Sequence, residues 1–538
     1  MTIATTPDFM PTDLGFPAKF SQWRPGQYEA VMQALDAPQR FVAMNLPTGT
    51  GKSLSAMACS VLYGKRSVTL TSTKELQVQY SSDFDITDFR GRQNYDCLNR
   101  GNCADGRLSG CPHSVKSSTV GNPEDDSPGD CPYSIARREF LNSQTSVSNY
   151  ACYFANVIHG EGMGDIDLLI LDEAHNAIEE LSSALAITLD HHTYETIRKS
   201  GIPEKPTGQK MDQWRNWARH CAPIVKIIFD TVKKQGGSPS WLRVIDTMKS
   251  VLTSIAMVPD DWILDESHAG QTTFAPLWPT DYAEKLLFRG AKKVFLLSAT
   301  IVEKTTELLN INAADLLFIS HITTFDPRRS PVYLFGASHI DSRSTPGQLQ
   351  EMMGRMDCII GRRLDRKGLT HPVSYEKVAG AEYISSNSEH RGLMISPRGR
   401  ELHDSLKLFR ESDAPRILNS PAIKTGYDFP MKQAEYQFIP KVPFIDARSP
   451  IMKARSEADP EYLPYLTAQT ITQTCGRLMR SPEDRSETFI LDTHANWFLK
   501  PKSKPGSSSR GGFRHLFPDW FLRQVQYPNS QPKPPEAL

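Results

Sequence analysis

Short apolar runs, each long enough for one buried strand, alternate along the chain with segments of helical periodicity. Consecutive apolar residues occur at Phe41–Met44 and again at Leu168–Leu171, and a third run ends at Ser298. Apolar runs without alternation are typical of strands in parallel sheets, which are buried on both faces. The pattern restarts at about residue 321. The chain is therefore predicted to be an α/β protein with two parallel-sheet domains.

Two stretches interrupt the first α/β half. Residues 96–145 contain a cluster of cysteines, and residues 181–264 contain successive segments with helical periodicity. The second α/β half is predicted over residues 321–500, and residues 501–538 are predicted to form a flexible C-terminal tail with a short helix. The pieces of the first half are then residues 1–95, 146–180 and 265–320.

A glycine-rich loop joins the first predicted strand to a helix. Residues 46–53 read LPTGTGKS, and the pattern Gly-x-Gly-Lys-Ser after a strand is typical of loops that cradle nucleotide phosphates. In such loops the lysine, here Lys52, reaches the outer phosphates, and the following hydroxyl, here Ser53, holds Mg²⁺. Leu46 replaces the glycine that usually begins this pattern. The predicted phosphate-binding residues are Thr48, Gly49, Thr50, Gly51, Lys52 and Ser53.

Two carboxylates follow the buried run Leu168–Leu171. In a phosphate-loop enzyme, a carboxylate at this place holds Mg²⁺ through water, and the next one positions the attacking water. Asp172 and Glu173 are predicted to have these two roles. A bare Asp-Glu pair would be an ordinary strand end, but here it lies in register after a phosphate loop and continues into Ala174 and His175.

Further candidate residues lie before and after these motifs. Gln27 begins a helix ahead of the loop, where its amide could read adenine; a surface helix start is the alternative.

Residues 469–480, QTITQTCGRLMR, are predicted to be helical, with Gln473, Arg477 and Arg480 on one face. Arginines from a second domain can stabilise charge on a transferring phosphoryl group, and a solvated helix face is the alternative.

The cysteines suggest a metal site. The chain has nine, and four of them crowd into one window, at Cys97, Cys103, Cys111 and Cys131. In a reducing compartment such a cluster favours metal ligation over disulfides. No Cys-x-x-Cys pair occurs, so a zinc ribbon fits poorly, whereas an iron–sulfur cluster tolerates irregular spacing. Free thiols are the other alternative, and composition alone does not name the metal.

Charge and hydropathy narrow the class of protein. The formal net charge is zero, so binding to a polyanion would need a local groove rather than an overall basic field. The N-terminus lacks the features of a signal peptide, and no apolar run is long enough to cross a bilayer. We therefore expect a cytoplasmic protein that does not associate with membranes.

In this order the motifs resemble the iron–sulfur helicases of superfamily two, the XPD and DinG group. The resemblance extends over about residues 21–492 and implies two RecA-like domains around an ATP site, with an iron–sulfur insertion and a helical arch-like insertion in the first. It implies that the four clustered cysteines hold a [4Fe–4S] cluster. The chain looks like a compact phage- or bacterial-type member, without an exonuclease domain before Trp23. The matching pieces are WRPGQ, LPTGTGKS, TSTKELQVQ, GRQNYDC, CPY, ILDEAHN, LLSATI, GLTHPVSY, GYDF and QTCGRLMR.

The resemblance also implies an activity. Relatives hydrolyse ATP, translocate 5′ to 3′ on single-stranded DNA and unwind duplex or branched DNA in repair, replication or recombination. Single-stranded and forked DNA are the expected partners of a monomer, and Gly426 and Asp428 are expected to link ATP to DNA. Two features depart from the family: the cysteine spacing lacks a close central pair, and Thr425 stands where relatives often carry glutamate.

Other functions remain open at the level of sequence. An ATP-driven translocase could remodel DNA or strip proteins from it without processive unwinding. An ATP-gated, metal-bearing nuclease is a different class, but no acidic-lysine nuclease motif accompanies the ATPase carboxylates. A DNA-binding scaffold with a vestigial ATPase is disfavoured by the intact Lys52, Asp172 and Glu173.

Overall fold

The computed structural model describes residues 7–47, 49–98, 101–111, 131–159, 162–320, 326–424, 427, 429–479, 483–502 and 512–527. Its strands, in chain order, are β1 (Phe41–Asn45), β2 (Ser67–Thr71), β3 (Thr87–Asp88), β4 (Thr145–Asn149), β5 (Leu168–Asp172), β6 (Ile187–Asp190), β7 (Ile263–Asp265), β8 (Gln271–Ala275), β9 (Lys293–Ser298), β10 (Leu316–Ser320), β11 (Val332–Ser338), β12 (Lys367–Thr370), β13 (Met394–Ile395), β14 (Arg416–Asn419), β15 (Tyr436–Ile439), β16 (Glu487–Asp492) and β17 (Val525–Gln526).

The α-helices, in chain order, are α1 (Gln27–Asp36), α2 (Lys52–Tyr63), α3 (Lys74–Phe84), α4 (Cys103–Leu108), α5 (Pro132–Asn142), α6 (Tyr150–His159), α7 (Ala177–Leu185), α8 (His191–Arg198), α9 (Met211–Lys234), α10 (Pro239–Ile255), α11 (Glu303–Leu308), α12 (Pro346–Gly361), α13 (Ala381–Asn387), α14 (Leu402–Glu411), α15 (Pro450–Ala458), α16 (Tyr462–Cys475), α17 (His494–Phe498) and α18 (Asp519–Leu522). None of them has the length and apolarity that crossing a bilayer requires.

Two parallel seven-stranded sheets organise the chain, which confirms the predicted α/β class. The first has the order β10-β1-β9-β5-β2-β4-β3, and the second has the order β13-β14-β12-β15-β16-β11-β17. Every residue of β1, β2, β5 and β9 is buried, because helices cover both faces of the first sheet. Smaller hydrophobic clusters lie within each half, and the largest cluster contains buried residues of both halves, such as Leu296 and Ile490.

The stretch predicted to be a helical insertion is a mixed unit. The long helices α9 and α10 pack on each other around buried residues such as Trp214 and Leu252. Strands β6, β8 and β7 form a separate antiparallel sheet beside them, so this region is not purely helical. Strand β6 begins two residues after α7 ends and pairs with β8. Because β8 lies after residue 264, the mixed unit extends beyond the predicted boundary of the insertion.

Residues 512–527, predicted to be part of a flexible tail, are packed. Strand β17 adds to the edge of the second sheet beside β11, and Phe517 and Phe521 are buried. The indole of Trp520 donates a hydrogen bond of 2.7 Å to the carbonyl of Ala299, in the first half of the chain. Dense aromatic residues give this short segment enough apolar surface to hold it against both halves.

Buried polar contacts also join the two halves. The hydroxyl of Tyr465 lies 2.9 Å from that of Thr305. The guanidinium of Arg455, 3% exposed, donates to the carbonyl of Leu277 at 2.7 Å and to the hydroxyl of Ser182 at 3.0 Å. Burial of a charged group is tolerated here because several acceptors satisfy it.

Removal of one aromatic side chain tests whether the C-terminal segment belongs to the core. Because Phe521 is fully buried, we expect Phe521→Ala to lower the free energy of unfolding by about 3–5 kcal/mol, measured as a lower midpoint of urea unfolding. The matched control is Arg523→Ala, because Arg523 is exposed and directly follows α18. This variant should lower the free energy of unfolding by less than about 0.5 kcal/mol. Equal midpoints for both variants would show that the segment contributes nothing.

Candidate nucleotide site between two sheets

The candidate residues of the first half meet at one edge of the first sheet. Strand β1 lies beside β9, with Asn45 opposite Ser298, and β9 lies beside β5, with Leu297 opposite Asp172. All these pairings are parallel, so the carboxyl ends of the strands lie together. Ligands of open α/β sheets bind at this edge. The loop after β1, Ser298 and Asp172 are therefore neighbours in space.

The loop after β1 has the backbone shape that phosphate binding requires. Gly49 and Gly51 have φ values of +80° and +83°, in the left-handed region that favours glycine. A Cβ atom on Gly51 would lie 2.7 Å from the amide nitrogen of Gln27. The hydroxyl of Thr50 donates to the carbonyl of Pro47 at 2.7 Å and holds the turn. Thr48 lies outside the described residues.

Helix α2 begins at Lys52, directly after this loop. Its first backbone N–H groups lack partners within the helix and carry the positive end of the helix dipole. This end faces the same edge of the sheet as Asp172. An anion such as a phosphate group is favoured at such a position.

Gln27 contacts the loop itself. Its amide nitrogen donates to the carbonyl of Gly51 at 2.9 Å, and its amide oxygen accepts from the backbone N–H of Arg24 at 3.0 Å. The side chain is only 2% exposed. In this structure Gln27 holds the loop in place, and the reading of adenine by its amide stays a prediction.

The two carboxylates after β5 have different surroundings. Asp172 is 2% exposed, whereas Glu173 is partly exposed and lies 3.5 Å from the ammonium of Lys52. Burial, and then the negative charge of Glu173, raise the pKa of Asp172 to about 6. Glu173 has a φ of +50°, which is strained for a residue with a side chain and is common at functional sites.

Tyr80 is a site residue that the sequence analysis missed. Its hydroxyl donates to a carboxylate oxygen of Asp172 at 2.9 Å and also hydrogen-bonds to the side chain of Ser53. It thus joins the two side chains predicted to hold Mg²⁺. Gln77, Tyr80 and Phe84 are the buried residues of α3. Their spacing marks a buried face, but nothing in the sequence identifies Asp172 as a partner.

His175 connects the two halves of the chain. Its Nδ1 lies 2.7 Å from the hydroxyl of Ser298, and its Nε2 is hydrogen-bonded to the side-chain amide of Gln473. Burial lowers the pKa of His175 to about 4, so the ring is neutral at pH 7. A neutral ring can donate from Nδ1 to Ser298 while Nε2 accepts from the amide nitrogen of Gln473.

The second half of the chain supplies Gln473, which lies on α16, and Arg477, which follows that helix. The amide of Gln469 adds another contact, a 2.8 Å hydrogen bond to the carbonyl of Thr300. Arg477 donates to the carbonyl of Tyr427 at 3.2 Å, and its positive charge helps to lower the pKa of His175. Arg480, Asp428, Gly426 and Thr425 lie outside the described residues.

The prediction of one helix over residues 469–480 was wrong at both ends. Helix α16 runs from Tyr462 to Cys475, and Gly476 caps it by donating to the carbonyls of Thr472 and Thr474. Arg477 therefore follows the helix and does not share a helical face with Gln473. Glycine has a low helix propensity, and the three-to-four spacing of the polar residues hid the stop.

Comparisons with known proteins agree with this geometry. The family model described as type III restriction enzyme, res subunit, matches residues 20–205, and the model described as helicase C-terminal domain matches residues 373–500. A solved XPD helicase superposes with a TM-score of 0.62 at 15% identity, over 87% of this chain and 96% of that chain. The chain has the XPD helicase fold.

Two further XPD structures support this assignment. An apo XPD structure matches with a TM-score of 0.58 at 14% identity, over 87% of this chain and 95% of that one. Xpd4 from S. tokodaii matches with a TM-score of 0.58 at 13% identity, over 94% of this chain and all of that one. No curated protein sequence matches the chain. The structures show the fold, and the family model that matches residues 373–500 supports a helicase-type enzyme.

Within this XPD fold the four clustered cysteines line one cavity. It is bounded by Arg92, Cys97, Leu98, Cys103, Arg107, Cys111 and Cys131. None of the nine cysteines, all of which are described, forms a disulfide. A Cβ atom on Gly106 would lie 2.3 Å from the sulfur of Cys97, so only glycine leaves room for this sulfur. Four converging sulfurs fit an iron–sulfur cluster, and they also fit zinc.

Arg92 lies against the cysteine cavity. It donates to the sulfur of Cys103 at 3.5 Å and stacks over Tyr133, with 3.9 Å between its guanidinium carbon and the ring centroid. Burial raises the pKa of Cys103, and the hydrogen bond from Arg92 opposes this change. The arginine thereby favours the thiolate, which is the form that binds metals.

The cysteine region and the mixed insertion touch in this XPD fold. Helix α10 packs beside α4, and Arg243 forms an ion pair with Asp105. Leu108 packs against the core of the insertion. The two insertions of the first half therefore stand side by side.

The raised pKa of Asp172 predicts that metal affinity at the nucleotide site depends on pH. Mg²⁺ binds the ionised carboxylate, so its affinity should rise as the pH is raised through about 6. We expect Mn²⁺, used as a paramagnetic probe with a non-hydrolysable ATP analogue, to bind more tightly at about pH 7 than at about pH 5. His175 does not titrate in this window, because burial lowers its pKa to about 4.

Asp172→Asn provides the matched control, because the amide cannot ionise. Its affinity for Mn²⁺ should be weak. The remaining change of this affinity with pH should be only that caused by titration of the nucleotide's phosphates. An equal pH dependence in both proteins would show that Asp172 does not control metal binding.

Proposed function

We propose that this protein is an ATP-dependent DNA helicase that translocates 5′ to 3′ on single-stranded DNA and unwinds duplex or branched DNA. The observation that carries the proposal is the hydrogen-bonded link from Ser298 through His175 to Gln473. Through it, Gln473 of the second sheet domain contacts His175, which follows the carboxylates of the first and lies 3.4 Å from Glu173. Nucleotide bound there would contact both halves of the chain.

The residues around the loop suit phosphoryl transfer to water. Lys52 would leave Glu173 for the outer phosphates of ATP, and the freed carboxylate would orient the attacking water. Ser53 and Asp172 would hold Mg²⁺, which neutralises phosphate charge, and Tyr80 would fix both ligands through its hydroxyl. Arg477 would approach the transferring phosphoryl group from the second domain.

The contacts between the halves provide a route from ATP to movement. Hydrolysis and release would separate the halves and break the hydrogen bonds of His175 with Gln473 and of Thr300 with Gln469. Repeated closure and opening would draw a single strand along the chain. Contacts to phosphates and stacked bases would make DNA binding sensitive to salt and tolerant of sequence.

The four cysteines are proposed to hold a [4Fe–4S] cluster. The donor set consists only of sulfurs, and the spacing lacks the close pairs of zinc ribbons. When bound, the cluster would cross-link the backbone around α4 to the start of α5, because Cys131 directly precedes α5. The proposed path of the translocating single strand runs between this region and the insertion that contains α10.

Loss of the lysine tests the nucleotide site. Lys52→Ala should reduce DNA-stimulated ATP turnover by roughly 10²–10³-fold, because it removes a charge that stabilises the transition state. Binding to single-stranded DNA should persist. The control is Lys65→Ala, because Lys65 is exposed and lies two residues after the end of α2. This variant should turn over ATP normally. Normal turnover in Lys52→Ala would exclude this site.

Tailed duplexes distinguish the helicase from the alternatives. A duplex with a 5′ tail should be unwound with ATP, and one with a 3′ tail should not. Displacement of a bound protein without strand separation would identify a translocase. Cutting of labelled DNA with Mg²⁺ and without ATP would identify a nuclease.

Metal content tests the cysteine site. Protein purified without oxygen should contain about four irons and four sulfides per chain, and Cys111→Ser should lose them. Cys358→Ser, which removes an exposed cysteine away from the cavity, should keep full iron and sulfide. Zinc in place of iron would contradict the [4Fe–4S] assignment, whereas the assignment of the ATP site would be unaffected.

A further inference from the structure

A second group of metal-binding side chains lies in the second sheet domain, away from the cysteines and the phosphate loop. His339, Asp492 and His494 each offer a ligand atom, and these atoms lie within 4.8 Å of one another. His339 directly follows β11, and Asp492 ends β16. These strands are parallel neighbours, with Ser338 opposite Asp492, so both histidines lie at the carboxyl edge of the sheet.

The backbone is shaped to bring the two histidines together. The register between β11 and β16 shifts between Leu334 and Ser338, which is a bulge that redirects the end of β11. Within this bulge, a Cβ atom on Gly336 would lie 2.7 Å from the backbone nitrogen of Thr493. Glycine thus lets the turn after β16 approach closely. The rings of His339 and His494 end with their centroids 4.2 Å apart.

Asp492 is a buried anchor for this turn. Its side chain is fully buried, and one carboxylate oxygen accepts from the backbone N–H groups of Ile340 at 3.2 Å and His494 at 3.0 Å. The other oxygen accepts from the backbone N–H of Val442 at 2.9 Å. The carboxylate therefore ties together the ends of three neighbouring strands, β11, β15 and β16.

Each histidine is held through one ring nitrogen. Nδ1 of His494 lies 2.8 Å from a carboxylate oxygen of Asp492, and Nδ1 of His339 lies 3.1 Å from the hydroxyl of Thr493. These bonds fix the ring orientations and leave the two Nε2 atoms available. A carboxylate bonded to the distal nitrogen of an imidazole is the usual support of a metal-ligating histidine.

We propose that His339 and His494 bind a divalent transition-metal ion, such as Zn²⁺, through their Nε2 atoms. Imidazole nitrogens favour ions of this class over Mg²⁺ and Ca²⁺, which prefer oxygen. Asp492 orients His494, and water completes the coordination. The bound ion joins the end of β11 to the start of α17 and so fastens one edge of the second sheet.

Titration with Co²⁺, a spectroscopic substitute for Zn²⁺, tests this site in the full chain. We expect the variant with His339→Gln and His494→Gln to bind one Co²⁺ fewer per chain than the wild type. The iron and sulfide content of the cysteine site should be unchanged, because neither histidine lines the cysteine cavity. Each single variant should weaken Co²⁺ binding by roughly tenfold or more.

The control variant carries His191→Gln and His192→Gln, which removes two exposed neighbouring histidines of α8. It should bind as much Co²⁺ as the wild type. Co²⁺ should raise the melting temperature of the wild type and of this control more than that of the His339/His494 variant. Equal stoichiometry in all three proteins, or an equal loss in the control, would overturn the proposal.

The result is independent of the helicase assignment. Neither histidine lies at the phosphate loop, so the His339/His494 variant should hydrolyse ATP at the wild-type rate. A far-ultraviolet dichroism spectrum that matches the wild type confirms that the variant is folded, and a missing Co²⁺ then reports the ligands themselves.

Discussion

The candidate nucleotide site depends on the neutral ring of His175, which joins it to the second half of the chain. One nitrogen is bonded to Ser298 at the end of β9, and the other is bonded to Gln473 on α16. Protonation would remove the acceptor that faces Gln473, but burial keeps the pKa of His175 far below neutrality. The link therefore persists across the physiological range of pH.

Parallel sheets explain why so many separate motifs meet. Residues more than a hundred positions apart, such as Asn45, Asp172 and Ser298, become neighbours because their strands end at the same edge. The second sheet repeats this arrangement, and its carboxyl edge gathers His339, Asp492 and the turn after β15. At both edges a glycine leaves room for a close neighbour: Gly51 for the side-chain amide of Gln27, and Gly336 for the backbone of Thr493.

The sequence predicts local features well and distant contacts poorly. The loop at residues 46–53 and the carboxylates after β5 could be recognised, because strand, loop and helix lie within a few residues of each other. The partners of Tyr80 and Trp520 could not, since Asp172 and Ala299 lie 92 and 221 positions away. Burial patterns mark such side chains as internal without naming what they contact.

Two predictions failed for different physical reasons. Residues 512–527 were predicted to be a flexible tail with a short helix, because a polar, glycine- and serine-rich stretch precedes them; the short helix is present as α18, but its aromatic residues are buried against both halves of the chain. The end of α16 was misplaced because Gln473 and Arg477 have helical spacing, although the helix ends at Cys475 and Gly476 caps it. Tertiary packing decided the first case, and the low helix propensity of glycine favoured the second.

The burial of Asp172 links stability to ligand binding. Its pKa is raised in the folded chain, so the folded state holds a proton that the unfolded state releases at lower pH. By linkage, this carboxylate lowers stability as the pH rises through about 6, where it must ionise without a cation. Lys52 and the hydroxyl of Tyr80 offset only part of that cost. A bound metal ion would offset more of it, so filling the nucleotide site would stabilise the folded chain.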